Sequence, residues 1–249
     1  MSGTHPREER AMGFDDVSRT WTRLGEEDPM WAVLTDAEKS GGRWQVEDFL
    51  STGVVEIEAV LARLHELGVS PSRDRALDFG CGAGRLSHGL ARAGFEEVLG
   101  LDISPTMLAS ARRTVDAPAC RFEQVTGADL AGVETDSVDL AYSCRVLQHM
   151  PPPLAQAYIR EFHRVVRSGG VVVFQLPTGP ALTPAGFALR LLPGPVAIRL
   201  RRGMEMHGTP EADVRDLVEG LGARVLTADP DTSAGPRWRS RLYVTATAC

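Results

Sequence analysis

A glycine-rich segment between two acidic residues has the most chemically informative spacing in this sequence. Gly80, Gly82 and Gly84 follow an apolar run that contains Asp78, and a second acid, Asp102, ends the next apolar run. Glycines let a chain turn tightly and approach a ligand closely, and the N–H groups at the start of a following helix face that ligand. The spacing therefore predicts a ligand-binding turn between a strand and a helix.

The two acids indicate which groups the ligand carries. A carboxylate at Asp78 disfavours a pyrophosphate and favours an ammonium group. Asp102 is suited to accept hydrogen bonds from both hydroxyls of a ribose. The third glycine of the dinucleotide fingerprint would fall at Arg85, which disfavours an NAD-dependent oxidoreductase. A ligand with an amine and a ribose but no phosphates fits S-adenosylmethionine (SAM).

Alternating apolar runs and amphipathic stretches must position this turn. Strands are predicted over residues 76–79, 98–101, 121–125, 138–142 and 171–176, and helices over 85–93, 105–114 and 151–166. Ser104 is predicted to cap the second of these helices, with Pro105 at its first position. A helix over 211–221 and two antiparallel strands over 224–228 and 242–247 follow. The predicted fold class is α/β, a doubly wound, seven-stranded, mostly parallel sheet.

The chain divides into four predicted parts: an N-terminal helical segment or lid (1–74), a SAM-binding core (75–178), a small cap (179–209), and a helix with two strands that completes the sheet (210–249). Residues 1 to about 20 are predicted to be frayed, and a helix with an apolar stripe ends before Gly68. Trp21, Trp31 and Trp44 are interpreted as anchors of helices on the core, with the lining of a substrate pocket as the alternative.

Composition excludes several classes of function. The chain has 27 basic and 33 acidic residues, a formal net charge of −6, which disfavours binding to nucleic acid. No apolar run approaches the ~20 residues that span a bilayer, and the first residues lack the apolar stretch of a signal peptide. The four cysteines include no C-x-x-C pair, so no zinc site or other metal site is predicted. A cytoplasmic protein is expected.

Further motifs follow in order along the core: Gly127-x-Asp129-Leu130, residues 136–140 (DSVDL), residues 148–151 (QHMP) and residues 167–170 (RSGG). With these motifs, the sequence from about Arg75 to Pro177 resembles the class I SAM-dependent methyltransferases, in particular the bacterial small-molecule branch called type 11 or type 12. The resemblance implies a Rossmann-like fold, SAM as the cofactor and S-adenosylhomocysteine (SAH) as its product.

The resemblance also implies positions for the adenine. Asp129 is expected to bind the adenine amino group, the Leu130 backbone a ring nitrogen, and Ile103 the face of the ring. Thr126 stands where close relatives often carry asparagine, and it is left out of the binding set. The predicted cofactor-binding residues are Asp78, Gly80, Cys81, Gly82, Gly84, Asp102, Ile103, Asp129, Leu130 and Ser143.

The acceptor of the methyl group should lie beyond the carboxyl ends of the strands. His149 is a candidate general base, with closure of the 148–151 turn as an equally weighted alternative. His207 is a weaker candidate base for which a place in a linker is preferred, and Thr209 is predicted to cap the next helix. Arg145 and Trp238 are predicted acceptor contacts. His88, His163 and Asp139 are assigned structural roles.

Two clusters of arginines stand out in the later part of the sequence. Arg190, Arg199, Arg201 and Arg202 belong to the predicted cap, and Arg237, Arg239 and Arg241 flank Trp238. Solvated surface arginines are the preferred interpretation, and an anionic acceptor is the alternative.

The sequence thus predicts a SAM-dependent methyltransferase that acts on an oxygen or nitrogen atom of a small molecule in secondary metabolism. Residues 143–146 read SCRV, unlike the Asn/Asp-Pro-Pro-aromatic turn of enzymes that methylate base amines. No nucleic-acid partner and no stable membrane insertion are expected, and a homodimer is left open. The alternative is a SAM-binding protein of the same fold that serves as a cyclase or a regulator.

Overall fold

The computed structural model describes residues 13–183 and 204–247, and its centre is one seven-stranded sheet. The strands lie in the order β3-β2-β1-β4-β5-β7-β6, and only β7 runs antiparallel to its neighbours. Their bounds are β1 Arg75–Phe79, β2 Glu97–Asp102, β3 Cys120–Gln124, β4 Val138–Ser143, β5 Val166–Pro180, β6 Arg224–Asp231 and β7 Trp238–Ala246. The predicted α/β fold with two antiparallel final strands is confirmed.

Seven α-helices and two short 3-10 helices, Ala37–Lys39 and Leu147–His149, accompany the sheet in the described parts of the chain. The α-helices are α1 Phe14–Glu27, α2 Pro29–Val33, α3 Val46–Glu66, α4 Arg85–Arg92, α5 Pro105–Thr114, α6 Pro152–Val165 and α7 Glu211–Gly220. The Ser104 hydroxyl accepts the N–H of Met107, so the predicted cap of α5 is present. The prediction for Thr209 is wrong: α7 is preceded by Pro210, and the Thr209 N–H donates to the carbonyl of Pro177. Among these helices, none is long and apolar enough to cross a membrane.

Side chains alternate between the two faces of the sheet, and each face buries its own core. Leu77 and Phe79 of β1 pack in the cluster that includes Phe162 of α6. Ala76 of β1 packs in a second cluster on the opposite face, with Ile57 and further apolar residues of α3 and α4. Because the side chains of a strand point alternately to opposite faces, both faces of β1 must be covered. The sheet is therefore doubly wound, and its strand ends form the edge where loops meet.

The N-terminal segment differs from its prediction. Residues 14 to 20 belong to α1, in which Val17 and Leu24 are buried, so the prediction of a frayed segment up to about residue 20 is wrong there. Along α1, one apolar residue per turn forms a stripe, at Phe14, Val17, Trp21 and Leu24. This stripe is too narrow to be recognised in the sequence among the charged residues around it. Burial against α5 stabilises the helix instead.

The predicted cap falls mostly on residues 184–203, which lie outside the described residues, and so do Arg190, Arg199, Arg201 and Arg202. Before this segment, β5 continues to Pro180 and pairs with β7 as far as Trp238. The last two strands extend further toward each other than predicted, because β6 continues to Asp231 and β7 begins at Trp238.

Helices α3 and α4 pack backbone to backbone through two glycines. A Cβ built on Gly53 would lie 1.9 Å from the carbonyl oxygen of Arg85, and one on Gly89 would lie 2.5 Å from that of Gly53. Such distances cannot be relieved by side-chain rotation, because the opposing atoms are backbone. The glycines therefore set how closely α3 approaches the helix that follows the glycine turn.

Replacing Gly53 by alanine should lower the free energy of unfolding by about 3 kcal/mol, the upper part of the range for overpacking, because backbone must move. Urea unfolding followed by circular dichroism measures the change. Gly220→Ala in α7 is the matched control: its Cβ would meet nothing within 4 Å, so it should be neutral or stabilising by ~0.5 kcal/mol. Equal effects of the two substitutions would contradict this account of the helix contact.

Candidate active site

The turn between β1 and α4 requires glycine at three positions. Gly80, Gly82 and Gly84 have φ values of 75°, 53° and 88°, in the left-handed region that side chains disfavour. The N–H groups of Gly80 and Cys81 donate to the carbonyl of Leu101, at 2.7 and 2.9 Å, which ties the turn to the end of β2. The predicted turn between a strand and a helix is thus formed, and Gly80 and Gly82 border a cavity of about 1180 Å³.

Asp102 holds the glycine turn and reaches the wall of the same cavity. Its Oδ2 accepts the N–H of Gly82 at 2.9 Å, and its Oδ1 accepts the N–H of Ser104 at 2.8 Å. Burial raises the pKa of this carboxyl to about 6, against the lowering effect of the backbone N–H groups. Since each carboxylate oxygen accepts more than one hydrogen bond, the ionised group retains acceptor capacity toward a ligand. Ile103 borders the cavity beside it.

Asp78 and Ser143 lie behind the turn, on neighbouring strands. Asp78 is fully buried, its Oδ2 accepts the hydroxyl of Ser87 at 2.6 Å, and burial raises its pKa to about 7. Its Oδ1 and the Ser143 hydroxyl are buried polar atoms without a hydrogen-bond partner among the described residues. Neither residue borders the cavity, nor do Cys81 and Gly84. Asp78 therefore faces the underside of the turn.

Two of the three predicted adenine contacts, Asp129 and Leu130, are also outside the cavity wall. Asp129 is exposed, and the Leu130 N–H donates to Oε2 of Glu161 at 2.8 Å. That N–H is therefore not available to a ligand in this arrangement. The cavity wall beyond Ile103 is formed instead by Val125 and Tyr158, whose hydroxyl donates to the carbonyl of Gly127.

All four tryptophans of the chain line this one cavity: Trp21, Trp31, Trp44 and Trp238. The first three belong to the N-terminal segment, so the structure favours the alternative interpretation, in which this segment lines a pocket. Val33 brings the segment to the turn, because its Cγ2 lies 2.6 Å from where a Cβ of Gly82 would be. The cavity exceeds the ~300–1000 Å³ typical of pockets for one small ligand, and it has room for two.

A partly buried cluster of charges joins α3 to the cavity wall at Arg145. Oε2 of Glu56 lies 2.8 Å from Nη2 of Arg85 and 3.2 Å from Nη1 of Arg145. Its Oε1 accepts the Tyr142 hydroxyl at 2.7 Å. Burial alone would raise the pKa of Glu56, but the two guanidinium groups and the hydroxyl lower it to about 2. Glu56 was not predicted from the sequence. The only indication of its role there is that an acidic residue stands next to the buried apolar stripe of α3.

His149 lies in the cavity wall within a chain of side-chain amides. Its Nδ1 is 2.7 Å from the carbonyl oxygen of Glu205, and its Nε2 is 3.0 Å from Nε2 of Gln148. Because a carbonyl only accepts, the ring proton belongs on Nδ1, and the Nε2 lone pair accepts from Gln148. Gln148 in turn accepts from Gln175 at 3.2 Å. The Trp21 ring packs edge-on to the imidazole, at 5.0 Å between centroids.

Of the remaining predicted residues, some border the cavity and others lie outside its wall. Arg145, Trp238 and Arg237 border the cavity, whereas His207 does not. Burial lowers the pKa of His207 despite Glu205, whose Oε2 is 3.3 Å away. Nδ1 of His163 donates to the carbonyl of Ile159, and its Nε2 lies 2.9 Å from the Thr245 hydroxyl. The Asp139 carboxylate forms an ion pair with Arg167 and accepts the N–H of Arg75. Those two structural assignments agree with the geometry.

A mostly parallel sheet in this order, with a glycine turn after β1 and an acid at the end of β2, defines the fold of the class I SAM-dependent methyltransferases. The magnesium protoporphyrin IX methyltransferase of Synechocystis PCC 6803 with bound SAH has this fold: its TM-score is 0.67 at 21% identity, covering 95% of this chain and 100% of that chain. A SAM-dependent methyltransferase from Mesorhizobium loti has a TM-score of 0.57 at 22% identity, covering 74% and 95%.

Residues 76–170 match the family described as a methyltransferase domain. Over these residues the chain is similar to a methyltransferase domain, and the predicted resemblance to the class I SAM-dependent methyltransferases, a family whose cofactor is SAM, is confirmed. Ubiquinone biosynthesis O-methyltransferases are similar to it: that of Pseudomonas syringae pv. tomato is 32% identical over 127 residues, 48% of this chain and 53% of the relative. That of Xanthomonas oryzae pv. oryzae is 32% identical over 148 residues, 59% and 57%. The chain spans little more than half of these relatives.

Proposed function

We propose that this protein transfers the methyl group of SAM to an oxygen or nitrogen atom of a small molecule. The observation that carries the proposal is a single cavity bordered at one side by the glycine turn and Asp102 and at another by tryptophans and Arg145. The names of the similar O-methyltransferases favour oxygen. The cavity, whose wall is mostly apolar, suits a small molecule, and the proposed acceptor is a small molecule of secondary metabolism.

The residues at the turn fit the cofactor. Gly80 and Gly82 permit close approach of the backbone, Asp102 offers a carboxylate to the ribose hydroxyls, and Ile103 offers an apolar surface to the adenine. When bound, SAM supplies an activated methyl group. The unpartnered Oδ1 of Asp78 and hydroxyl of Ser143 lie just behind this turn, where an ammonium group or ordered water would satisfy them.

The remaining wall would bind and orient the acceptor. Arg145 and Trp238 are the proposed acceptor contacts, and the tryptophans of the N-terminal segment would exclude water from the reacting atoms. Fixing the acceptor close to the methyl carbon is the main contribution that a protein makes to such a displacement.

We propose His149 as the base for a hydroxyl acceptor, through its unprotonated Nε2 once the Gln148 amide turns away. Replacing His149 by alanine should then lower turnover by about 10²- to 10⁴-fold and leave SAH affinity unchanged. Kinetics with an identified acceptor and calorimetry with SAH measure the two effects. His65→Ala, at an exposed position on α3, is the control. Undiminished turnover would leave His149 with the role of closing the 148–151 turn.

Calorimetric titration with SAM and SAH, followed by an assay of SAH release against a panel of phenols, carboxylic acids and amines, tests the proposed function. Binding of both nucleosides and SAH release that depends on one acceptor class would support a methyltransferase. Binding without release for any acceptor would favour the repurposed SAM-binding protein. Absence of binding in folded protein would overturn both.

A further inference from the structure

Two guanidinium groups, one buried and one partly exposed, share one carboxylate at the wall of the cavity. The Arg85 side chain is 2% exposed and lies 2.8 Å from Oε2 of Glu56, the same oxygen that Nη1 of Arg145 approaches to 3.2 Å. The next acid close to Arg85 is Asp78, whose pKa burial raises to about 7, so it is only partly ionised near neutral pH. The cluster therefore carries an excess of positive charge at the wall of the cavity.

Arg145 is the member of this cluster that borders the cavity. Its Nη1 faces Glu56 and the sulfur of Cys144, whereas its Nε and Nη2 have no hydrogen-bond partner among the described residues. A guanidinium group presents its donors as a planar fork, and a fork with two unused nitrogens matches a carboxylate. An anion at this point would also balance the charge of the cluster.

The backbone of Arg145 is held in a conformation that arginine seldom adopts. Its φ is 63°, in the left-handed region, and its N–H donates to Oε1 of the buried Gln175 at 3.1 Å. Such strain persists only where surrounding contacts impose it, and it is common at ligand sites. Here Gln175 holds the main chain and Glu56 holds the side chain, so the guanidinium is fixed before any ligand arrives.

Across the same cavity, tryptophan rings provide planar apolar surfaces. The Trp31 indole N–H donates to the carbonyl of Asp36 at 2.9 Å, and that of Trp44 donates to the carbonyl of Leu34 at 3.4 Å. With their polar atoms engaged by the chain, these rings offer apolar contact to a ligand. Flat aromatic ligands gain most from such walls, through stacked or edge-on packing.

We propose that the acceptor is an aromatic carboxylic acid, whose ring lies among the tryptophans and whose carboxylate is bound by the fork of Arg145. This inference rests on the proposed methyltransferase function and adds the chemical class of its acceptor. A carboxylate is favoured over a lone oxyanion because two oxygens match two guanidinium nitrogens.

Calorimetry with the full chain saturated with SAH tests the proposal, with 2-naphthoate as the probe and naphthalene-2-carboxamide as its neutral counterpart. We expect 2-naphthoate to bind about tenfold more tightly than the amide. Arg145→Gln should abolish this preference, and Arg145→Lys should retain part of it because it keeps the charge without the fork. Arg239→Gln, an exposed neighbour of Trp238 outside the cavity wall, should leave the preference unchanged.

Equal affinities of the two probes for the unmodified protein would overturn the proposal, as would a preference that persists in Arg145→Gln. Thermal unfolding of each variant checks that it is folded. If Arg145→Gln does not fold, Arg145→Lys and the comparison of probes in the unmodified protein still decide the outcome. Failure to bind SAH at the start would instead count against the proposed methyltransferase function, so the two failures are distinguishable.

Discussion

Replacing Asp102 by alanine is expected to weaken the binding of SAH by about 2–3 kcal/mol, or roughly 30- to 150-fold. The carboxylate holds the N–H groups of Gly82 and Ser104 and borders the cavity, so its loss removes a proposed partner of the ribose and loosens the turn. Calorimetric titration at pH 8, where a carboxyl of pKa about 6 is ionised, measures the change.

The pH dependence separates the charge of Asp102 from its role in the turn. Because its pKa in the folded protein is about 6, the carboxyl becomes protonated as the pH falls below 6, and it then loses part of its acceptor capacity. SAH affinity of the unmodified protein should therefore decrease from pH 8 to pH 5, and that of Asp102→Ala should decrease less. Asp78, with a pKa of about 7 that the charge of Asp102 helps to raise, titrates in both proteins, so the difference between them reports on Asp102 together with its effect on Asp78.

Asp213→Ala, at an exposed position on α7, is the matched control and should bind SAH as the unmodified protein does. Unchanged affinity in a folded Asp102→Ala variant would remove Asp102 from the cofactor site. The glycine turn would then lack the neighbouring acid on which the proposed binding mode depends.

The sequence predicted the sheet and its turn because both follow from local patterns. Apolar runs alternate with amphipathic stretches, and strands that alternate with helices can only form a parallel sheet covered on both faces. The glycines and Asp102 lie at strand ends, so their proximity follows from strand order alone. Residues fixed by the sheet were therefore within reach of sequence reasoning.

The cavity wall was not predictable in the same way, because it depends on how distant segments fold back. Val33 reaches Gly82, and Trp21 reaches His149, through packing that no local pattern encodes. Likewise, nothing near Leu130 in the sequence indicates that Glu161 of α6 accepts its N–H. The expected role of Leu130 came from the resemblance to a family, and that resemblance gave no information about the Glu161 side chain.

Replacing Glu56 by glutamine is expected to lower the free energy of unfolding by about 3 kcal/mol, because it leaves the buried Arg85 and the partly exposed Arg145 without a counter-charge. Urea unfolding at pH 7 measures this loss. Glu58→Gln, an exposed acid on the same helix, is the matched control and should change stability by less than ~0.5 kcal/mol.

The contribution of Glu56 should disappear in acid, and the direction follows from its pKa. The folded protein lowers this pKa from 4.5 to about 2, so the folded state favours the ionised form relative to the unfolded chain. The stabilisation is complete above about pH 4.5 and is lost as the pH falls toward 2. The difference between the unmodified protein and Glu56→Gln should therefore shrink over that range, whereas a difference independent of pH would mean that packing, and not charge, makes Glu56 important. The same carboxylate holds Arg145 at the cavity wall. Glu56→Gln should therefore also reduce the preference for 2-naphthoate, which would connect the packing of α3 to the acceptor site.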